Sequence, residues 1–178
     1  MEKNELPNVE TKIKTSTPSG RNFVVAGEPI GLGKREGRVY TLRNLLSGMP
    51  SLPVQTAILG VGDDGLPLLF DLSDPRPGSI LVVGETRSGK TTLLKTIVHS
   101  LILTNRPYEV RFSIISGKPE QWKVEATHYR DYIQGVQSNF ERGGVEEIMA
   151  VCDLVESRQH GRNEGPAILL FVDGFDTI

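Results

Sequence analysis

Apolar residues fall into short runs whose spacing changes along the chain, and each change of period predicts a different element. Ala57–Val61 and Leu66–Leu72 flank the turn-forming Asp63-Asp64-Gly65, which predicts a β-hairpin. Ile80–Val83 is short and continuously apolar, as expected of a strand buried on both faces. Leu93, Leu94, Ile97, Val98, Leu101 and Ile102 then recur at helical spacing up to the stop signal Asn105-Arg106-Pro107. A second strand is expected over Val110–Ile115, an amphipathic helix from about Val145 to Ser157, and a third strand over Ala167–Val172. Between them, the stretch from Trp122 to Asn139 reads as irregular. Strands alternating with helices imply right-handed crossovers and a parallel sheet, hence an α/β fold.

Upstream of the hairpin the pattern weakens. Residues 1–20 are polar and rich in Thr, Ser and Pro, too poor in apolar surface to offset their ordering entropy, and read as a flexible tail. Residues 21–55 form a poorly defined lead-in in which Leu42–Leu46 suits a helical turn or two. The Gly-Leu-Gly-Lys at Gly31–Lys34 has the wrong spacing for a phosphate loop, with no apolar strand before it, and reads as a turn. Residues 56–178 are expected to be the main domain.

The 178 residues suit one domain plus a tail, and the formal charge of −2 gives no global basic field for nucleic acid or membrane. Cys152 stands alone, so no internal disulfide forms, and a reducing, cytoplasmic setting follows. No apolar run reaches the length of a membrane span. His99, His128 and His160 lack partners at metal or triad spacing, and Trp122 reads as a core or interface anchor. Arg106, Arg111, Lys118 and Lys123 read as solvated surface.

The chemistry concentrates in Gly84–Thr91, GETRSGKT, which has two glycines, a lysine and a hydroxyl residue at the spacing of a P-loop. Gly84, Glu85, Thr86, Arg87, Ser88 and Gly89 would curl the backbone so that successive N–H groups face phosphate oxygens, at the positive end of the following helix. Lys90 would reach the β and γ phosphates of ATP, the Thr91 hydroxyl would ligate Mg²⁺, and Thr92 would assist at the helix start. The apolar strand Ile168–Val172 ends at Asp173, the candidate for orienting the metal's water shell. Gly174 stands where many ATP-hydrolysing motors carry a glutamate, with Glu85 and Asp176 as imperfect substitutes. Hydrolysis is therefore expected to be weaker than binding.

These segments resemble FtsK/SpoIIIE-type ATPases, including the ATPase modules of type VII secretion machines. LGVGDDGLPLLFDLS leading into SILVVGETRSGKTTLLKTIVHSL is similar to the family's lead-in hairpin and P-loop unit, EVRFSIISGKP to its second strand, and ILLFVDGFD to the divergent third-strand motif of the secretion modules. The resemblance implies a RecA-like P-loop NTPase with a parallel sheet flanked by helices and an N-terminal hairpin lead-in. It also implies ATP and Mg²⁺ as ligands, ring or tandem assembly with related modules or self-association, and translocation of DNA or polypeptide. Arg87 departs from the family's usual glycine. A RecA-like sheet of order 5-1-4-3-2 would place a fourth strand between the P-loop strand and the Asp173 strand, so the fold is expected to be C-terminally incomplete, with open backbone edges on both. Two other readings compete: a non-catalytic nucleotide-sensing or scaffolding module, and an ABC-type ATPase, which lacks its Leu-Ser-Gly-Gly-Gln-like signature here.

Overall fold

The computed structural model describes residues 23–25, 40–49, 51–62, 65–74, 79–162 and 164–174. The expected tail, the Gly31–Lys34 turn, Asp63-Asp64 and Asp176 lie outside them. The chain divides into two compact units, Met1–Leu101 and Ile102–Ile178.

In the first unit, β1 (Phe23–Val25) pairs in parallel with β4 (Leu81–Val83), and β2 (Thr56–Val61) pairs antiparallel with β3 (Pro67–Asp71). The hairpin expected from the two apolar runs is therefore present, closed by Gly62 N–H to Leu66 O at 2.8 Å. Gly65, at φ +80°, takes the left-handed conformation such a turn requires. The register slips between Ile58 and Gly60, so Leu59 is an extra residue on β2. Helix α1 (Leu42–Ser47) is capped by Thr41, whose hydroxyl accepts from Asn44 N–H at 3.2 Å. Helix α2 (Lys90–Thr104) begins in this unit and buries Leu93, Ile97, Val98 and Leu101, as its periodicity predicts. Ser100, fully buried on α2, accepts the Ile58 N–H at 3.0 Å and so ties the helix to the hairpin.

One expectation fails here. The apolar run at β4 is not buried on both faces, because Leu81 and Val83 remain 58% and 52% exposed. Successive strand residues face opposite ways, so these two share one face, and the described residues leave it uncovered. An apolar run records what a strand can bury, not what lies over it.

The second unit holds a three-stranded parallel sheet in the order β6-β5-β7, made of β5 (Val110–Ser116), β6 (Ile133–Ser138) and β7 (Ala167–Asp173). Central β5 is almost wholly buried. Phe112 stacks on Tyr132 with ring centroids 6.4 Å apart and meets Phe171 at 5.9 Å. The Tyr132 hydroxyl donates to Asn105 O at 2.7 Å, and burial raises its pKa. Among the described strands, β7 has β5 as its single neighbour. The stretch expected to be irregular instead folds into a short 3-10 helix (Pro119–Trp122), helix α3 (Lys123–His128) and β6. β6 escapes sequence reading because IQGVQS offers two apolar residues around a glycine rather than a run.

Helix α4 (Arg142–Gln159) packs against β6. Gly144 makes the close approach possible, since a Cβ there would lie 2.6 Å from the Ser138 carbonyl oxygen. The buried hydroxyl of Ser113 on β5 donates to Glu147 of the helix. The expected apolar face of α4 is largely uncovered: Val145, Ile148, Met149 and Val155 are all exposed.

Candidate nucleotide site

The Gly84–Thr91 loop lies between β4 and α2, in the strand-loop-helix setting its chemistry needs. A turn closed by Ser88 N–H to Glu85 O at 3.1 Å reverses the chain. Arg87 at φ +66° and Gly89 at φ +92° then bend it left-handed into the helix. Glycine adopts that conformation without penalty. For an L-residue such as Arg87 it costs about 1–2 kcal/mol, a local strain characteristic of ligand-gripping loops. The first intrahelical bond is Leu93 N–H to Gly89 O at 2.9 Å, so the N–H groups at the head of α2 are directed out of the helix end, where the helix dipole is positive.

Lys90 is the first residue of α2 and turns back over the loop, its Nζ donating to the carbonyl oxygens of Gly84 and Glu85 at 2.9 Å each. The ammonium is thus held at the loop rather than extended into solvent. Glu85, Thr86 and Arg87 are exposed, whereas Ser88, Gly89, Lys90, Thr91 and Thr92 are half-buried. The Ser88 hydroxyl oxygen is shielded from solvent and has no hydrogen-bond partner among the described residues. Backbone and lysine together form a concentrated set of donors, which is what a polyphosphate binds.

Asp173 belongs to the second unit and ends β7, with 8% of its surface exposed. Its backbone carbonyl accepts Gly117 N–H at 3.0 Å, and one carboxylate oxygen, Oδ2, accepts the indole N–H of fully buried Trp122 at 3.1 Å. Gly174 follows at φ +86°, and its carbonyl accepts from Asn139 Nδ2 at 3.0 Å. The carboxyl ends of the three parallel strands therefore converge on a two-residue element, the edge at which α/β sheets place their ligands. Sequence reading missed Trp122 as a partner of Asp173 and Asn139 as a partner of Gly174. No short-range pattern links residues 51 and 35 positions apart.

Among the described residues no group of three or more His, Cys, Asp or Glu is arranged to hold a metal. His128 and His160 each bond a carbonyl one helical turn back, at 2.9 and 2.7 Å, and are exposed, while His99 is buried in α2. Arg106, Lys118 and Lys123 are solvated as expected, whereas Arg111 is half-buried, its Nε donating to the Pro107 carbonyl at 3.1 Å. No helix among the described residues is long and apolar enough to cross a membrane.

An ESX secretion system protein EccC from Thermomonospora curvata is 27% identical over 107 residues, which are 58% of this chain and 8% of that protein. The DNA translocase SftA of Bacillus subtilis is 30% identical over 124 residues, 65% of this chain and 13% of the relative. The chain thus spans a small part of the relatives it matches. The solved cytoplasmic domain of the Thermomonospora curvata type VII secretion ATPase EccC aligns over 70% of this chain and 18% of its own, with a TM-score of 0.47 and 22% identity. The model of the FtsK/SpoIIIE family matches residues 44–160, a stretch that contains the whole phosphate loop and stops before Asp173. Since that stretch is well over half of the 178 residues, the chain belongs to the FtsK/SpoIIIE family of P-loop proteins.

Proposed function

We propose that this chain binds ATP together with Mg²⁺ through Gly84–Thr92 and serves as a module of an ATP-driven translocase. The observation that carries this reading is the Lys90 ammonium, folded onto the Gly84 and Glu85 carbonyls at the head of α2. Phosphate oxygens are better acceptors than carbonyls, so a bound triphosphate would draw the same ammonium to its β and γ groups. The N–H groups of the loop would hold the remaining oxygens.

The Thr91 hydroxyl at the head of α2 suits a metal that arrives with the nucleotide. Mg²⁺ keeps several waters and takes one or two protein groups plus phosphate oxygens, so a single threonine hydroxyl beside the phosphates is enough to engage it. Thr91 is assigned to the metal's inner shell and Asp173 to its water shell. One relative is named a DNA translocase and the other a secretion system protein, so the moved polymer is DNA or polypeptide. We further propose that it assembles into rings or tandem arrays with related modules in the cytoplasm, reaching a membrane through a partner.

A second reading, nucleotide sensing without turnover, draws support from Gly174. The position after Asp173 sits at φ +86°, where a glutamate would be strained, so the usual water-activating residue is absent for a backbone reason as well.

Thermal unfolding with and without ATP and Mg²⁺ tests the proposal. Ligand at about a hundred times its dissociation constant stabilises by about 2.7 kcal/mol, which raises the midpoint by roughly 5–10 °C for a chain of this size. No rise at millimolar ATP and Mg²⁺ would contradict it.

A further inference from the structure

We propose that helix α4 is the surface on which a second copy of this chain docks, antiparallel and about a two-fold axis at Met149. Val145, Ile148, Cys152 and Val155 follow one another at steps of three, four and three residues, the spacing of a coiled-coil seam, and all four are exposed. A different face of the helix holds it to its own unit. Gly144 lies against the Ser138 carbonyl, Glu147 accepts the Ser113 hydroxyl, and Arg158 Nη2 donates to Pro166 O at 2.8 Å. The seam is therefore left uncovered by the sheet on which α4 packs.

The order of charge beside the seam identifies the occupant. Arg142, Met149 and Glu156 are exposed, stand one heptad apart, and by helical period line the seam's outer edge, on the side opposite Gly144, Glu147 and Arg158. That edge is cationic at one end, apolar in the middle and anionic at the other. Turned end for end, it complements itself. In a two-fold pair Arg142 of each copy meets Glu156 of the other, the Met149 side chains meet on the axis, and Val145 and Ile148 pack against Val155 and Cys152. Helix stability does not account for this order, because an arginine in the first turn and a glutamate in the last both oppose the helix dipole. Arg142 also pairs with Glu146 of its own helix at 2.7 Å, but both side chains are mostly exposed, and such a surface pair contributes little against a second carboxylate. A two-fold contact of this kind differs from the head-to-tail contacts that build rings, and no residue of the phosphate loop enters it, so it forms whether or not ATP binds.

One helix from each copy buries less than the about 800 Å² per partner of a standard interface, so a dissociation constant of about 10–100 µM is expected. Sedimentation velocity of the full chain without nucleotide, at concentrations up to about 500 µM, should show a reversible monomer–dimer equilibrium. Met149→Lys sets two ammonium groups together on the axis and should weaken the dimer at least about tenfold. Arg142→Glu should weaken it less, and adding Glu156→Arg to that variant should restore it. A chain that stays monomeric throughout would mean that the seam is covered from within the chain or by another partner, and overturns the proposal. So does association indifferent to Met149→Lys, or a loss in Arg142→Glu that Glu156→Arg leaves unrepaired. Should Met149→Lys fail to fold, the charge reversal decides alone.

Discussion

At the scale of single residues, backbone conformation separates positions that sequence treats alike. Gly174 and Gly89, at φ +86° and +92°, occupy a region that L-residues enter at a cost, whereas Arg87 enters it at +66° with its side chain exposed. Gly174→Ala is expected to destabilise the chain by about 1–2 kcal/mol through φ alone. Space is not the obstacle, because a Cβ there would meet Gly117 N at an ordinary 3.7 Å. Urea unfolding checks this, and an unchanged midpoint would mean that the Asp173-Gly174 turn relaxes without penalty. The strand-loop-helix setting of Gly84–Thr91 was legible in the sequence because its residues are contiguous and each type has a separate reason to be there. The surroundings of the Asp173-Gly174 turn were not, because Trp122 reaches Asp173 and Asn139 reaches Gly174 only through strand order.

At the scale of elements, legibility follows burial. β5 is buried and β-branched, and α2 has a regular apolar stripe, so both could be read from the chain. β6 could not, since Ile133 and Val136 are its only apolar side chains and make no run, whereas β7, outer in the same described sheet, carries one. The burial of β4 was misjudged, because Leu81 and Val83 remain exposed. The link between hairpin and α2 was also invisible, because it passes through one serine. Ser100→Ala leaves the buried Ile58 N–H without its hydroxyl acceptor and should destabilise by about 1–3 kcal/mol. Ser47→Ala removes a comparable bond on exposed α1, to Asn44 O at 2.9 Å, and should stay within about 0.5 kcal/mol. Equal effects of the two substitutions, measured by chemical denaturation, would show that the Ser100 bond does not secure the helix that follows the phosphate loop.

At the scale of the whole molecule, family membership rests on residues 44–160, and the proposed chemistry rests on a loop within that stretch and an aspartate beyond it. Nucleotide binding is the claim on which the metal and the translocase reading both depend. Isothermal titration calorimetry of ATP in Mg²⁺ against the unaltered chain and Lys90→Ala tests it most directly. Lys90 is the cation assigned to the β and γ phosphates, and losing such a charge-assisted contact costs about 1.5–3 kcal/mol, or roughly tenfold to a hundredfold in affinity. Saturable binding by the unaltered chain, weakened at least about tenfold in Lys90→Ala, is the predicted result. Equal affinity in the two proteins, or no binding by either, would contradict it.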